Sequence, residues 1–198
     1  QETGVPTHMA VNGNGWFVVQ ADSGQQYLTR GGDFVLDIDT TLNQINLITS
    51  DGHVLMGSDG ANLVPIDLTP TTGNALASFS VASDGTITLV DVTGNQEVVG
   101  GVGSEVRVKV ATFQNNNGLS VEGANLYRWT DAAGGTGIDG EYNVDYAGAV
   151  LQGYLESSNT DLSREFTDMI VAQRGFQANA RTVTTSDEIL AELMSIKR

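Results

Sequence analysis

No cysteine occurs in these 198 residues, so disulfides and thiolate metal sites are impossible. Proline is scarce at three, and aromatic residues make up only 7%. Basic residues are few as well: nine Lys and Arg face 24 Asp and Glu, a formal charge of −15. A surface that negative repels polyanions, which argues against nucleic acid or anionic lipid as a partner. No apolar run approaches the ~20 residues that span a bilayer, so membrane insertion is not expected. No charged segment followed by an apolar stretch opens the chain, so no cleaved secretory signal is expected. The chain begins at Gln1 rather than Met, and we expect it to be a fragment of a longer protein.

What is plentiful is glycine, and it is unevenly placed. Of the 24 glycines, only Gly175 lies beyond residue 160. Charge divides at the same point. Residues 161–198 hold six acids and five bases, a net −1, whereas residues 1–160 hold 18 acids and four bases (Arg30, Arg107, Lys109 and Arg128), a net −14. We therefore expect two parts: a β-rich domain over 1–155, with 65–105 as a small inserted β subdomain, and a helical segment over 156–198.

Residues 1–155 alternate short apolar runs with turn signals, the pattern of an antiparallel β domain. Trp16–Val19 follows Asn12-Gly13-Asn14-Gly15, and Tyr27–Thr29 precedes Gly31-Gly32. Phe34, Leu36 and Ile38 alternate with Val35 and Asp37. Asp51-Gly52 and Asp84-Gly85 each separate two β-rich runs, which predicts hairpins closed by type I′ turns. The strict alternation of Val106–Val110 predicts valines in a core with Arg107 and Lys109 in solvent. Asn115–Gly118 reads as a turn after that strand, and Gly134–Gly137 as a loop.

The last forty residues read differently. Leu162, Phe166, Met169, Gln173, Phe176, Ala180, Val183, Asp187, Leu190 and Met194 follow one another in steps of four and three. That is heptad spacing, and it predicts a long helix of coiled-coil type. Ile170, Ile189, Leu193 and Ile196 widen the stripe. Asn159-Thr160-Asp161 supplies capping chemistry at its start. Two features weaken it: Gly175 in the interior, and Thr182–Ser186, where Thr185 and Glu188 could break the helix and restart it as a capping box. No second amphipathic helix is legible, so the seam is left to pack on a segment outside this sequence, on another subunit, or back on the β region.

Chemistry-bearing motifs are nearly absent. Gly13-x-Gly15 lacks the third glycine of a dinucleotide loop. Asp37-x-Asp39-x-Thr41 begins like a calcium loop but has Leu42 at position six and Ile48 at position twelve. His8 and His53 are the only histidines, and no Gly-x-Ser-x-Gly elbow accompanies them. Trp16 and Trp129 lie in β-rich runs and are expected to pack. No catalytic residue, cofactor, metal site or small-molecule substrate is expected.

A resemblance comes from longer stretches. Leu155–Leu162 running into Phe166–Ala180, with its Met169-Ile170-Val171-Ala172-Gln173-Arg174 core, resembles the C-terminus of bacterial flagellar hook and rod axial proteins, and the hook version more than the distal rod. Ala10–Val19, Tyr27–Phe34, Ala111–Phe113 and Gly123–Tyr127 are similar to the family's β region in the same order. The resemblance implies a mainly β fold with a C-terminal helix packed in an inner tube. It implies a structural subunit of the flagellar hook, a flexible universal joint, with a distal rod or hook-associated protein as the alternative. The implied partners are further copies of the chain, rod and hook-associated proteins at the ends, and the hook cap during assembly. The implied location is the extracellular flagellum, reached by type III export without a cleaved signal. Hook proteins begin with a helical segment that pairs with this seam, and its lack here fits a fragment. The assembly interface expected on this basis is Leu162, Phe166, Met169, Ile170, Gln173, Phe176, Ala180, Val183, Leu190 and Leu193. A β-rich surface module with a coiled-coil stalk, or an acidic secreted hydrolase, are the readings from other classes.

Overall fold

A computed structural model of the chain describes residues 1–39, 44–60, 62–100, 105–134, 148–157 and 161–196. It is mainly β, with one long α-helix at the C-terminal end. The chain divides into two units, Gln1–Ser157 and Ser158–Arg198.

In chain order the strands are β1 (Met9–Asn12), β2 (Trp16–Gln20), β3 (Gln26–Thr29), β4 (Val35–Asp39), β5 (Gln44–Ile48), β6 (Val54–Ser58), β7 (Leu63–Pro65), β8 (Leu76–Val81), β9 (Ile87–Asp91), β10 (Gln96–Val98), β11 (Arg107–Val108), β12 (Val110–Ala111), β13 (Ser120–Gly123), β14 (Leu126–Arg128) and β15 (Ala149–Gln152). Ten of them form one antiparallel sheet, ordered β13-β14-β3-β2-β6-β5-β4, with β7 and β11 also on β6 and β12 also on β2. A three-stranded sheet, β10-β9-β8, and the pair β1-β15 complete the unit.

The main core lies on one face of the large sheet. Phe17 and Val19 of β2 and Leu55 of β6 meet Phe79, Val81, Ile87 and Leu89 of the three-stranded sheet, with Met9, Val11 and Val150 from β1 and β15. Phe17 and Phe34 meet edge to face at 5.3 Å, an arrangement that favours the aromatic quadrupoles. The other face of β2 and β6 is covered too. Val18, Leu28, Met56, Ala111, Leu119 and Ala133 form a second cluster, flanked by Trp16, Tyr127 and Trp129. Both tryptophans are thus half-buried packing groups.

That second layer overturns one expectation. Val106, Val108 and Val110 are in the core, but Lys109 is buried instead of in solvent. The strand reading assumed one dry face and one wet face. Here the chain crosses from β6 to β2 at this residue, with the Lys109 amide donating to the Met56 carbonyl at 3.0 Å. Its side chain lies on the same side as Ala111, the side that the second cluster covers.

The Asp-Gly hairpins form, but not with type I′ turns. Gly52 and Gly85 have φ of +84° and +83°, while Asp51 and Asp84 do not have positive φ. The Gly52 amide donates to the Thr49 carbonyl and the Gly85 amide to the Ala82 carbonyl, both at 2.9 Å. This is a type I turn followed by one left-handed residue, the longer hairpin solution. Two consecutive left-handed residues occur instead at Ala124 and Asn125, with φ of +48° and +60°, between β13 and β14. Alanine there costs about 1 kcal/mol relative to glycine.

Asn115 caps a 3-10 turn, Asn116–Gly118, by accepting from the Asn117 amide. A second 3-10 turn, Asp131–Ala133, packs so closely on Gly118 that a Cβ would lie 2.4 Å from Ala132. Gly134 closes this turn, and Gly135–Gly137 of the expected loop lie outside the described residues.

The β9–β10 turn is organised by a carboxylate the sequence reading passed over. Asp91 is only 3% exposed. It accepts from the Thr93 hydroxyl at 2.6 Å, the Asn74 amide at 2.9 Å, the Thr72 hydroxyl at 3.1 Å and the Thr93 and Asn95 backbone amides at 2.8 and 2.9 Å. These donors, the Thr93 hydroxyl first and Asn74 next, hold its pKa far below the ordinary 3.8. A depressed folded pKa stabilises the fold above the unfolded value and ceases to do so as pH falls towards the folded one. The melting temperature should therefore drop below about pH 4, and Asp91→Asn should flatten that drop while lowering the melting temperature at neutral pH. Thermal melts followed by circular dichroism across that range check this. An unchanged acid slope in the variant would count against it.

Candidate assembly surface

The helix α1 runs unbroken over Leu162–Ile196, 35 residues. At ~1.5 Å per residue that is about 52 Å. Asn159 and Thr160 lie outside the described residues, and Asp161 does the capping. Its Oδ1 accepts from the Ser163 amide at 2.9 Å and the Arg164 amide at 3.4 Å. These are two of the orphan donors that every helix start carries.

The helix is continuous, as its seam predicts, and the weak stretch near residue 184 does not interrupt it. Thr185 is not the accepting residue of a capping box; its hydroxyl donates back to the Arg181 carbonyl. Thr182, Thr184 and Ser186 do the same towards Ala178, Arg181 and Thr182, at 2.9, 2.9 and 2.8 Å. Hydroxyls that back-bond to the preceding turn satisfy themselves inside the helix and leave its ladder intact. Gly175 also sits within the helix, with open space around its Cα.

All ten residues of the expected interface lie on α1. Leu162, Phe166, Met169, Ile170, Gln173, Phe176, Ala180, Val183, Leu190 and Leu193 are each exposed, with Phe176 at 82%. At 100° per residue, Leu162 to Ala180 share one face. The seam then drifts by ~20° per heptad on a straight helix, so Leu190 is displaced and Leu193 falls well to the side. Val171, Ile189 and Leu193 face away from the first half of the seam and are exposed as well. Val171 was missed because a seven-residue template does not look at the opposite face; a helical wheel finds it. Apolar groups around so much of a helix mark one that is covered on more than one side.

In the β unit the chemistry-bearing residues singled out from the sequence are engaged in structural contacts. His8 pairs with the Thr3 hydroxyl at 2.9 Å, and His53 stacks on Tyr27 at 5.5 Å. The Gly13–Gly15 loop turns two carbonyls to a side chain of the same unit: the Gly13 oxygen accepts from Arg30 at 2.9 Å, and the Gly15 oxygen accepts from the same guanidinium. Arg30 also pairs with Glu156 at 3.0 Å and lies over the Trp16 ring at 5.7 Å. A carbonyl cradle suits a cation and not a phosphate. Asp37 and Asp39 lie on an extended strand, and Thr41 and Leu42 of the calcium-like motif lie outside the described residues. No three metal-ligating side chains gather among the described residues, and no described helix is long and apolar enough to cross a membrane.

What α1 shows is a run of large exposed apolar residues along its length. Comparison with known proteins gives the family. Residues 10–89 match the flagellar hook protein FlgE/F/G D1 domain, and residues 151–196 match the flagellar basal body rod FlgEFG protein C-terminal family. The chain is 41% identical over 199 residues to the flagellar basal-body rod protein FlgG of Bacillus subtilis, covering 100% of this chain and 68% of the relative. It is 32% identical over 189 residues to FlgG of Agrobacterium fabrum, covering 95% and 63%. With the flagellar hook protein FlgE of Salmonella typhimurium it shares 38% over 126 residues, 62% of this chain and 28% of the relative. The chain belongs to the flagellar rod and hook family of axial structural proteins. It spans about two thirds of the length of its rod relatives.

Proposed function

We propose that the chain is a rod-type axial subunit, one repeat of a flagellar shaft, that assembles through the apolar surface of α1. The observation that carries the rod reading is the reach of the likeness: the rod protein of Bacillus subtilis aligns along the whole chain, the hook protein over 62% of it. The hook reading is the second one. It is supported by 38% identity to the hook protein over 126 residues, close to the 41% shared with the Bacillus rod protein, and it would make the subunit part of a flexible universal joint. In both readings residues 156–198 make the assembly contacts, and residues 1–155 carry the acidic surface. That division of charge suits assembly. The helical segment is almost neutral and can stack on copies of itself, while the −14 of the β region keeps the outside soluble. The role is structural and not catalytic. The partners are further copies, neighbouring rod or hook-associated proteins and the assembly cap, reached by type III export.

Negative-stain electron microscopy of the concentrated chain tests this. Straight tubes or protofilaments support the rod reading, and curved tubes support the hook reading. Closed dimers or trimers of fixed size at every concentration would favour a stalked surface module and sink both.

A further inference from the structure

Without cysteine, the side chains of this chain that a peroxide oxidises reversibly are its four methionines. The structure splits them into two pairs. Met9 of β1 and Met56 of β6 are sealed in the two core clusters, at 0% and 2% exposed. Met169 and Met194 stand on α1, at 53% and 77%. Susceptibility follows access to the sulfur. The core pair is therefore protected while the β unit is folded, and the helical pair is open while the chain is unassembled.

Both open methionines fall on the seam. They are 25 residues apart in sequence, which at 100° per residue sets them within about 20° of each other around α1. Met169 shares that face with Phe166 and Phe176. A thioether is well suited to such a place, because its unbranched, polarisable chain fills irregular gaps in an apolar contact. A sulfoxide is not. It is polar and rigidly branched at sulfur, and its oxygen is an acceptor that must find a donor once water is excluded. The seam is poor in donors, Gln173 being its one amide.

We propose that Met169 and Met194 are sites of reversible oxidation, and that their sulfoxides hold the chain in the unassembled state. This rests on the α1 assembly reading above. With hydrogen peroxide as oxidant, a sulfur lone pair attacks one peroxide oxygen. The S–O bond forms as the O–O bond breaks, and the proton on the transferred oxygen passes to the departing hydroxide, giving water. The sulfur loses two electrons and the peroxide gains them. A thiol-dependent methionine sulfoxide reductase reverses the change: the oxygen leaves as water and two thiols become a disulfide. Once copies cover the seam both sulfurs are out of reach, so the modification acts on free subunits and not on the finished polymer.

Partial oxidation followed by assembly tests this with the unaltered chain. The dilute chain is treated with hydrogen peroxide until each open methionine is partly converted, freed of oxidant, concentrated and sedimented. Peptide mapping by mass spectrometry then reads sulfoxide at each methionine in polymer and supernatant. Sulfoxides at Met169 and Met194 should be depleted about tenfold in the polymer, as expected for an acceptor buried without a donor. Met9 and Met56 should carry none in either fraction. Reductase treatment of the supernatant should restore its assembly, and peroxide added after assembly should leave Met169 and Met194 largely unconverted. Equal sulfoxide content at these two positions in polymer and supernatant overturns the proposal and leaves the assembly reading standing. Conversion of Met9 and Met56 in the folded chain as fast as the α1 pair also overturns it. If the untreated chain forms no polymer, the axial reading fails and the proposal fails with it.

Discussion

Gly32→Ala should destabilise the β unit more than any other single-methyl change. Gly32 is buried where β1 meets the Gly31-Gly32 turn, and its carbonyl accepts from the Met9 amide at 2.9 Å. A Cβ at position 32 would lie 1.6 Å from the Met9 carbonyl oxygen and 2.7 Å from its carbon. The obstacle is backbone, so no rotamer change relieves it. The Met9 segment cannot retreat alone, because Met9, Ala10, Val11 and Asn12 are all in register with β15 and Met9 is fully buried. Overpacking a core with flexible neighbours costs about 1–3 kcal/mol, and a rigid backbone wall takes this case to ~3 kcal/mol or more. For a domain of this size that is a fall of about 10 °C in melting temperature. Gly24→Ala is the control. Gly24 has positive φ, at +84°, but nothing within 4 Å of an added Cβ, so it should lose only about 1 kcal/mol. Thermal denaturation of both variants measures the difference. Equal melting temperatures would contradict the close approach of Gly32 to β1.

Phe166→Asp with Phe176→Asp should abolish assembly and leave the β unit as stable as before. The described core clusters are built from residues 9 to 150, so neither phenylalanine contributes to them. Both rings are exposed on the first half of the α1 seam. Each phenylalanine buried on association is worth ~1.5–3 kcal/mol. Losing two, before the cost of burying carboxylates, weakens association by at least about a hundredfold. Sedimentation velocity against concentration reads the loss, and a melt followed by near-ultraviolet dichroism reads the β unit. Glu165→Gln with Asp168→Asn, polar changes on the same turns, should leave assembly within about threefold, since exposed charges carry little. If the aspartate pair assembled as well as the unaltered chain, the seam would not be the contact.

Some of this architecture was legible in the residues and some was not, for physical reasons. Glycine and net charge both change near residue 160, because turns need glycine and a long helix excludes it. The long helix showed in its apolar spacing. That spacing also carried the helix through Thr182–Ser186, where poor helix formers had left a break open; there the hydroxyls bond to carbonyls of the preceding turn. The valines of 106–110 were placed correctly by alternation, but the same alternation misplaced Lys109, since a period of two tells faces apart without telling how many are covered. The Asp-Gly pairs marked hairpins but not their geometry: one left-handed glycine satisfies a type I turn with an extra residue, and Ala124-Asn125, which carries no such sign, holds the two left-handed positions. The alternation of Phe34, Leu36 and Ile38 marked a strand, but it could not tell that Phe34 is buried while Leu36 and Ile38 are exposed. Of the exposed apolar residues of α1, the seven-residue template picked out the seam and its flanks, Ile189 included, and passed over Val171 on the opposite side.

The central claim is that the apolar residues of α1, exposed in this structure, are covered on association. Hydrogen exchange of the backbone amides of residues 162–196, followed by mass spectrometry from dilute to concentrated protein, tests it most directly. An isolated helix with its apolar residues in water frays, whereas packed helices open only with the structure around them. The account predicts fast exchange throughout α1 in dilute monomer, and strong protection that rises with concentration and is lost in the Phe166→Asp, Phe176→Asp variant. Protection that is complete in the monomer and independent of concentration would contradict it.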